Sequence, residues 1–347
     1  MQRKTYDAVD LMKWICSILV VYIHMSPVLT GAPFVDSLIA DGVCRIAVPF
    51  FFATSAFFLF RKMDRTTPEK GKNRKALWRF CGRILLLYTV WIVIYIGYDM
   101  FHRYYNHNPQ MPWYSYVKGF WLSGIQYHLW YLMSTVYAAP LVYLLWRAGK
   151  KALIGACLGL HILQCLERPY RISWIFDSAL MQTLRVDFAL PYDGLLLGVS
   201  LMCLGCICLE NHTQKTSRQW LRRLLIATPV FLAECSVLIY MQGDRLDMDK
   251  PLSAVVVVYY LVNWLFSADF RFSKPWMGKL LRTGSLWIYC VHPLVKRLYV
   301  WWFAHEGLFQ FAVVCVCSVA SGLVYALIKV IASEKWSLKR LRKHSEG

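Results

Sequence analysis

Apolar runs long enough to cross, or nearly cross, a bilayer recur ten times along this chain. They lie at about 11–29, 40–60, 84–102, 129–146, 152–167, 186–208, 224–241, 251–268, 283–303 and 309–331, the fifth being the shortest. A backbone in hydrocarbon must satisfy its own hydrogen bonds, so runs of this length predict helices. The expected architecture is all-α: a polytopic transmembrane helical bundle of about ten spans. With the N-terminus inside, an even number of crossings also leaves the C-terminus cytoplasmic. The expected membrane domain covers 1–335, and 336–347 is read as a basic cytoplasmic tail.

The connecting segments test this count independently. Those assigned to the inside carry 28 Lys and Arg residues, and those assigned to the outside carry seven. Such a bias is what orientation by the positive-inside rule requires. Composition agrees, since 58% of the 347 residues are hydrophobic, 17% are charged and 15 are Trp, which is too apolar for a soluble domain. The formal net charge of +19 would suit nucleic acid only if the basic residues clustered on one soluble surface. They fall between apolar runs instead, so membrane lipid, and not nucleic acid, is the expected partner. Outer segments such as "RYYNHNPQMPWYSY" are rich in Tyr, Trp, Pro and Asn, as an interfacial layer or a cap over a site would be. The basic head and apolar body of the N-terminus are read as a retained first span, because His24 and the lack of an A-x-A site argue against cleavage.

Twelve cysteines lie almost all within apolar runs, as small packing residues do. The tightest cluster is Cys203, Cys206 and Cys208. It lacks a second ligand pair at zinc spacing, so no metal is expected.

Ionisable residues inside the runs raise the functional question. Lys13 and His24 are eleven residues apart, nearly three whole turns, so they project from one helix face about 16 Å apart. That places a cation at the cytoplasmic headgroup level and an imidazole beyond the midplane; a snorkelling lysine and a hydrogen-bonded core histidine would explain the pair as well. Arg45 in the second run counts back to a depth matching that of His24, with Asp41 one turn away as a structural partner. His128 and Trp130 open the fourth run, where an aromatic belt is the alternative. His292 and Lys296 share a face of the ninth. Arg79 and Arg83 lie at the inner mouth, where they suit a phosphate-bearing ligand or simply act as topology signals. Glu234, Asp193 and Asn263 read as packing hydrogen-bond formers.

The order of "KWICSILVVYIH", "RIAVPFFFATSAFFLF", "YHLWYL", "YDGLLLGVSLMCLG" and "SLWIYCVHPLV" resembles the acyltransferase 3 family of ten-span membrane proteins over most of the chain. Among relatives it looks especially like the membrane domain of vancomycin-resistance serine racemases. Two departures stand out. The family's usual arginine, separated from the histidine by ten intervening residues, is Lys13 here, which keeps the charge but loses the planar fork. Arg79 and Arg83 match the family's basic pair only approximately.

The resemblance implies a membrane-bound acyltransferase of the bacterial cytoplasmic membrane. It would transfer an acyl group, most often acetyl, from cytoplasmic acyl-CoA to a hydroxyl or amine of an extracytoplasmic glycan or lipid-linked acceptor. Acyl-CoA, acetyl-CoA in the first instance, would be a donor substrate, and no tightly bound cofactor is implied. Lys13, Arg79 and Arg83 would hold the CoA phosphates, and His24 would act as general base or carry the acyl group. Arg45 would stabilise the oxyanion, while His128, Trp130, His292 and Lys296 would face the substrates. Two other readings stay open: a transporter of a serine-like amino acid, and a non-catalytic component of an envelope assembly. The acceptor, the acyl chain and the oligomeric state are not encoded in any motif.

Overall fold

The computed structural model describes residues 5–25, 31–66, 71–167, 170, 194–242, 251–303 and 306–345. Among these residues the regular structure is helical throughout, with no strand. The longer helices are α1 (Asp7–Met25), α2 (Ala47–Phe60), α3 (Lys72–Tyr105), α4 (Trp130–Ala148), α5 (Lys150–Glu167), α6 (Leu195–Asn211), α7 (Ser217–Gln242), α8 (Ala254–Ser267), α9 (Pro275–Trp302) and α10 (Leu308–Ser345).

Each of the ten apolar runs coincides with one of these helices; positions 26–29 of the first run and 186–193 of the sixth lie outside the described residues. Among the described residues, five helical segments are long and apolar enough to cross a membrane: Asp7–Met25, Pro33–Phe60, Lys72–Tyr105, Ser217–Met241 and Leu308–Ala332. The chain is a membrane protein. α6 and α8 are apolar but shorter.

The second run is less regular than its hydropathy suggests. A short helix, Pro33–Ser37, precedes it; the run itself opens in a π-helical turn, Leu38–Gly42, and tightens into a 3-10 turn, Val43–Ile46, before α2 starts at Ala47. The matching depth expected for Arg45 and His24 assumed an α-helical rise of about 1.5 Å per residue, whereas a 3-10 turn rises about 2.0 Å. Arg45 lies in that 3-10 turn. Over the two residues from Arg45 to the start of α2 at Ala47 that difference amounts to only about 1 Å.

The contacts divide the described helices into two compact units. One comprises residues 1–47 and 265–347, and contains α1, the irregular 33–46 segment, α9 and α10. Within it α9 packs on α10 and on α1, and the 3-10 turn packs on α1. In lipid there is no hydrophobic force between helices, so close approach depends on small residues. Gly284 of α9 supplies it, with the indole ring of Trp14 lying where a side chain at position 284 would begin. A buried cluster of Val21, Met25, Ile288, Tyr299 and Val314 joins the three helices.

The other unit comprises residues 48–264. There α6 packs against α4 and α5, and α3 against α4. Hydroxyls tie the helices together: Ser200 donates to the Cys157 carbonyl at 2.8 Å, Ser134 donates to the Gly194 carbonyl, and Ser55 and Tyr131 share a bond of 2.8 Å. Cys203, Cys206 and Cys208 are buried along α6.

Candidate functional site

The first unit brings His24, His292 and Lys296 together. α1 delivers His24 on its last turn, and α9 presents His292 and Lys296 four residues apart on one face. The two imidazole rings stack, with centroids 5.3 Å apart and planes 16° from parallel. The Lys296 ammonium donates to the main-chain carbonyl of His24 at 2.9 Å. His292 is fully buried and its Nδ1 lies 3.1 Å from the Ile288 carbonyl. A carbonyl only accepts, so Nδ1 carries the hydrogen and the neutral ring presents Nε2 as its lone-pair nitrogen.

Lys13 lies at the other end of α1, beside a pair the sequence reading passed over. Asp10, 3% exposed, accepts from Arg282 of α9 at 3.3 Å, and both Lys13 and Arg282 act electrostatically on its carboxylate. Asp7 accepts from the Phe272 main-chain N–H at 2.9 Å, and Arg271 donates to the Thr5 hydroxyl at 2.6 Å. Gly278 lets α1 and α9 meet here: a Cβ on it would stand 3.2 Å from the Asp7 carboxylate and 3.3 Å from that of Asp10. Asp10 and Lys13 sit three residues apart on one face, a spacing visible in the sequence. Arg282 follows Asp10 by 272 residues, and no local pattern could have named it.

Arg45 pairs with Asp41 at 3.2 Å, the structural partner that its spacing offered. The 3-10 turn carrying it is anchored by Cys44, which packs with Tyr22 and Ala40.

The remaining candidates belong to the second unit. Arg79 and Arg83 lie exposed along α3, with the Arg83 Nε donating to the Arg79 carbonyl at 3.1 Å. His128 is 1% exposed, with Tyr95 and Tyr127 set edge-on to it at 5.2 and 5.4 Å. Trp130 packs against Phe52, 6.0 Å between centroids. Glu234 accepts from the main-chain N–H groups of Leu252 and Ser253, at 2.6 and 2.8 Å, as a cap on the start of α8. Asn263 donates to the Tyr259 carbonyl at 2.7 Å, the packing role expected of it. Asp193 lies outside the described residues.

Comparison with known proteins now bears on this arrangement. The family model described as "Acyltransferase domain" matches residues 6–328. The chain belongs to the acyltransferase 3 family. Among curated relatives, an amino-acid racemase of Enterococcus faecalis is 23% identical over 328 residues, which is 90% of this chain and 45% of that protein. A second amino-acid racemase from the same organism is 29% identical over 150 residues, 43% of this chain and 19% of that protein. A serine/alanine racemase of Enterococcus gallinarum is 22% identical over 289 residues, 82% of this chain and 40% of that protein. The chain thus spans less than half the length of these relatives. The resemblance to the racemases of the vancomycin-resistance type holds. No solved structure matches the chain.

Proposed function

We propose that this protein transfers an acyl group, acetyl in the first instance, from cytoplasmic acyl-CoA to a hydroxyl or amine of an extracytoplasmic cell-envelope acceptor. The observation that carries the reading is the placement of His24 against His292 at one end of α1, in a family of acyltransferases, with the Lys13, Asp10 and Arg282 cluster about three turns away. In this mechanism His24 takes the proton from the acceptor as its oxygen or nitrogen attacks the thioester carbonyl. The C–S bond then breaks, and the proton passes to the departing CoA thiolate. Arg45 supplies positive charge to the tetrahedral oxyanion. Lys13 receives the CoA phosphates, and the bundle spans the bacterial cytoplasmic membrane with both termini inside.

The test is CoA release from acetyl-CoA by purified protein in liposomes with acceptor present. His24→Gln retains a hydrogen-bonding side chain but takes up no proton at neutral pH. It should lower turnover by roughly a hundredfold or more, within the range that general acid–base catalysis contributes. Turnover that survives in the glutamine variant rules out His24 as base. The names of the relatives favour a second reading, in which the membrane bundle handles an amino acid. Accumulation of labelled serine in the same liposomes, with no CoA released for any acceptor offered, would make that reading the better one.

A further inference from the structure

We infer that His292 and Lys296 form a clamp on His24: they are positioning residues that fix the reacting imidazole, and not ligands of the substrate. The inference rests on the reading of His24 as the reacting group. It adds a division of labour that neither the motif nor the family membership specifies.

His24 is held at both of its ends from one neighbouring helix. Its main-chain carbonyl lies on the last turn of α1, where the macrodipole places partial negative charge. The Lys296 ammonium meets that carbonyl at 2.9 Å, a charge-assisted bond to the backbone. Its side chain meets the His292 ring in a near-parallel stack at 5.3 Å. A near-parallel stack fixes the plane of a ring through its π surface. The two contacts together define the turn that carries His24 and the plane its imidazole adopts.

The clamp is anchored to its own helix. His292 is followed by Pro293, which lacks an amide hydrogen and opens the α9 ladder at that turn. The imidazole uses the local backbone: Nδ1–H donates to the Ile288 carbonyl, so the ring is anchored to its own helix before it touches α1. Lys296 lies one turn further along. Ile288, Val295 and Tyr299 of α9 pack with Val21 and Met25, which flank His24 on α1. In such apolar surroundings polar contacts meet little competition from water and hold more firmly than they would at a surface. Preorganisation of this kind acts on the chemical step, because small displacements of a reacting group cost rate without changing how tightly the donor binds.

The experiment uses the full chain in liposomes with four variants: His292→Ala, His292→Phe, Lys296→Met and Lys296→Arg. The clamp requires His292→Ala and Lys296→Met to lower kcat tenfold or more, with KM for acetyl-CoA and for the acceptor within about twofold of wild type. Phenylalanine keeps a stacking ring without a nitrogen, and arginine keeps a cationic donor. Both should recover kcat to within about threefold. If His292→Phe is as impaired as His292→Ala, the ring acts through its nitrogen and the clamp is overturned. A rise in acceptor KM without a fall in kcat would likewise overturn it in favour of substrate binding. A second readout is independent of turnover: the rate at which diethyl pyrocarbonate carbethoxylates His24, followed by peptide mass. Release of the clamp should change that rate at least threefold in the alanine and methionine variants and restore it in the conservative ones. A changed rate in a protein that releases no CoA refutes the acyltransferase reading and keeps the clamp; an unchanged rate refutes the clamp whatever the activity.

Discussion

Asp10 is almost wholly buried while its partner Arg282 has a side chain 55% exposed, and this asymmetry sets what each substitution should do. Removing the carboxylate leaves a guanidinium that water can solvate and a Lys13 that is only partly buried; removing the guanidinium leaves a carboxylate that is almost wholly buried. Arg282→Met should therefore destabilise more than Asp10→Asn. We expect a loss on the order of 2–3 kcal/mol for Arg282→Met and about 1 kcal/mol for Asp10→Asn, both below the ~3–5 kcal/mol of a fully buried pair because one partner is half in solvent. Thermal unfolding in one detergent decides the order, and equal shifts would contradict it. At this scale the sequence was informative about residue type and poor about partners. Lys296 was readable as a cation on the face of His292, yet its bond to the His24 carbonyl depends on where another helix ends. Asp41 could be paired with Arg45 because four residues separate them, whereas nothing local connects Asp10 with Arg282.

Between elements, the distance from α1 to α9 is set where Gly284 faces Trp14. A methyl group at position 284 would occupy the space of the indole's outer ring, so Gly284→Ala forces the helices apart or turns the ring. Either response disturbs the His24 turn, and CoA release should fall at least tenfold with a shift in Trp14 fluorescence. Trp14→Phe shortens the ring at that contact, and the double variant should recover part of the loss, giving a non-additive cycle. Additive losses would place the effect elsewhere. The irregular segment before α2 shows why helix type was not legible: π, 3-10 and α turns carry the same apolar composition, and hydropathy reports only that the segment is apolar. Element existence was legible because length and composition alone determine it, as the coincidence of each run with a helix attests.

For the whole molecule, the expected ten-span topology is tested at the two ends of α3. Asn73 is buried and its side chain donates to the Asp64 carbonyl at 2.5 Å, so a probe belongs on the exposed Lys75 instead. In intact cells an impermeant maleimide should label Asn106→Cys and spare Lys75→Cys; equal labelling of both would end the topology. One further consequence follows from the chain order of the helices that meet at Asp7 and Asp10. Their partners, the Phe272 amide and the Arg282 guanidinium, follow them by 265 and 272 residues. At synthesis rates of about 5–20 residues per second, α1 waits roughly 15–50 s in the bilayer before α9 leaves the ribosome. During that interval the first helix carries two carboxylates and a histidine whose contacts have yet to be made, a state that quality-control proteases recognise. A nascent chain stopped at Ser267 should thus be short-lived in pulse-chase, and co-expression of the segment from Ala268 onward should lengthen its life.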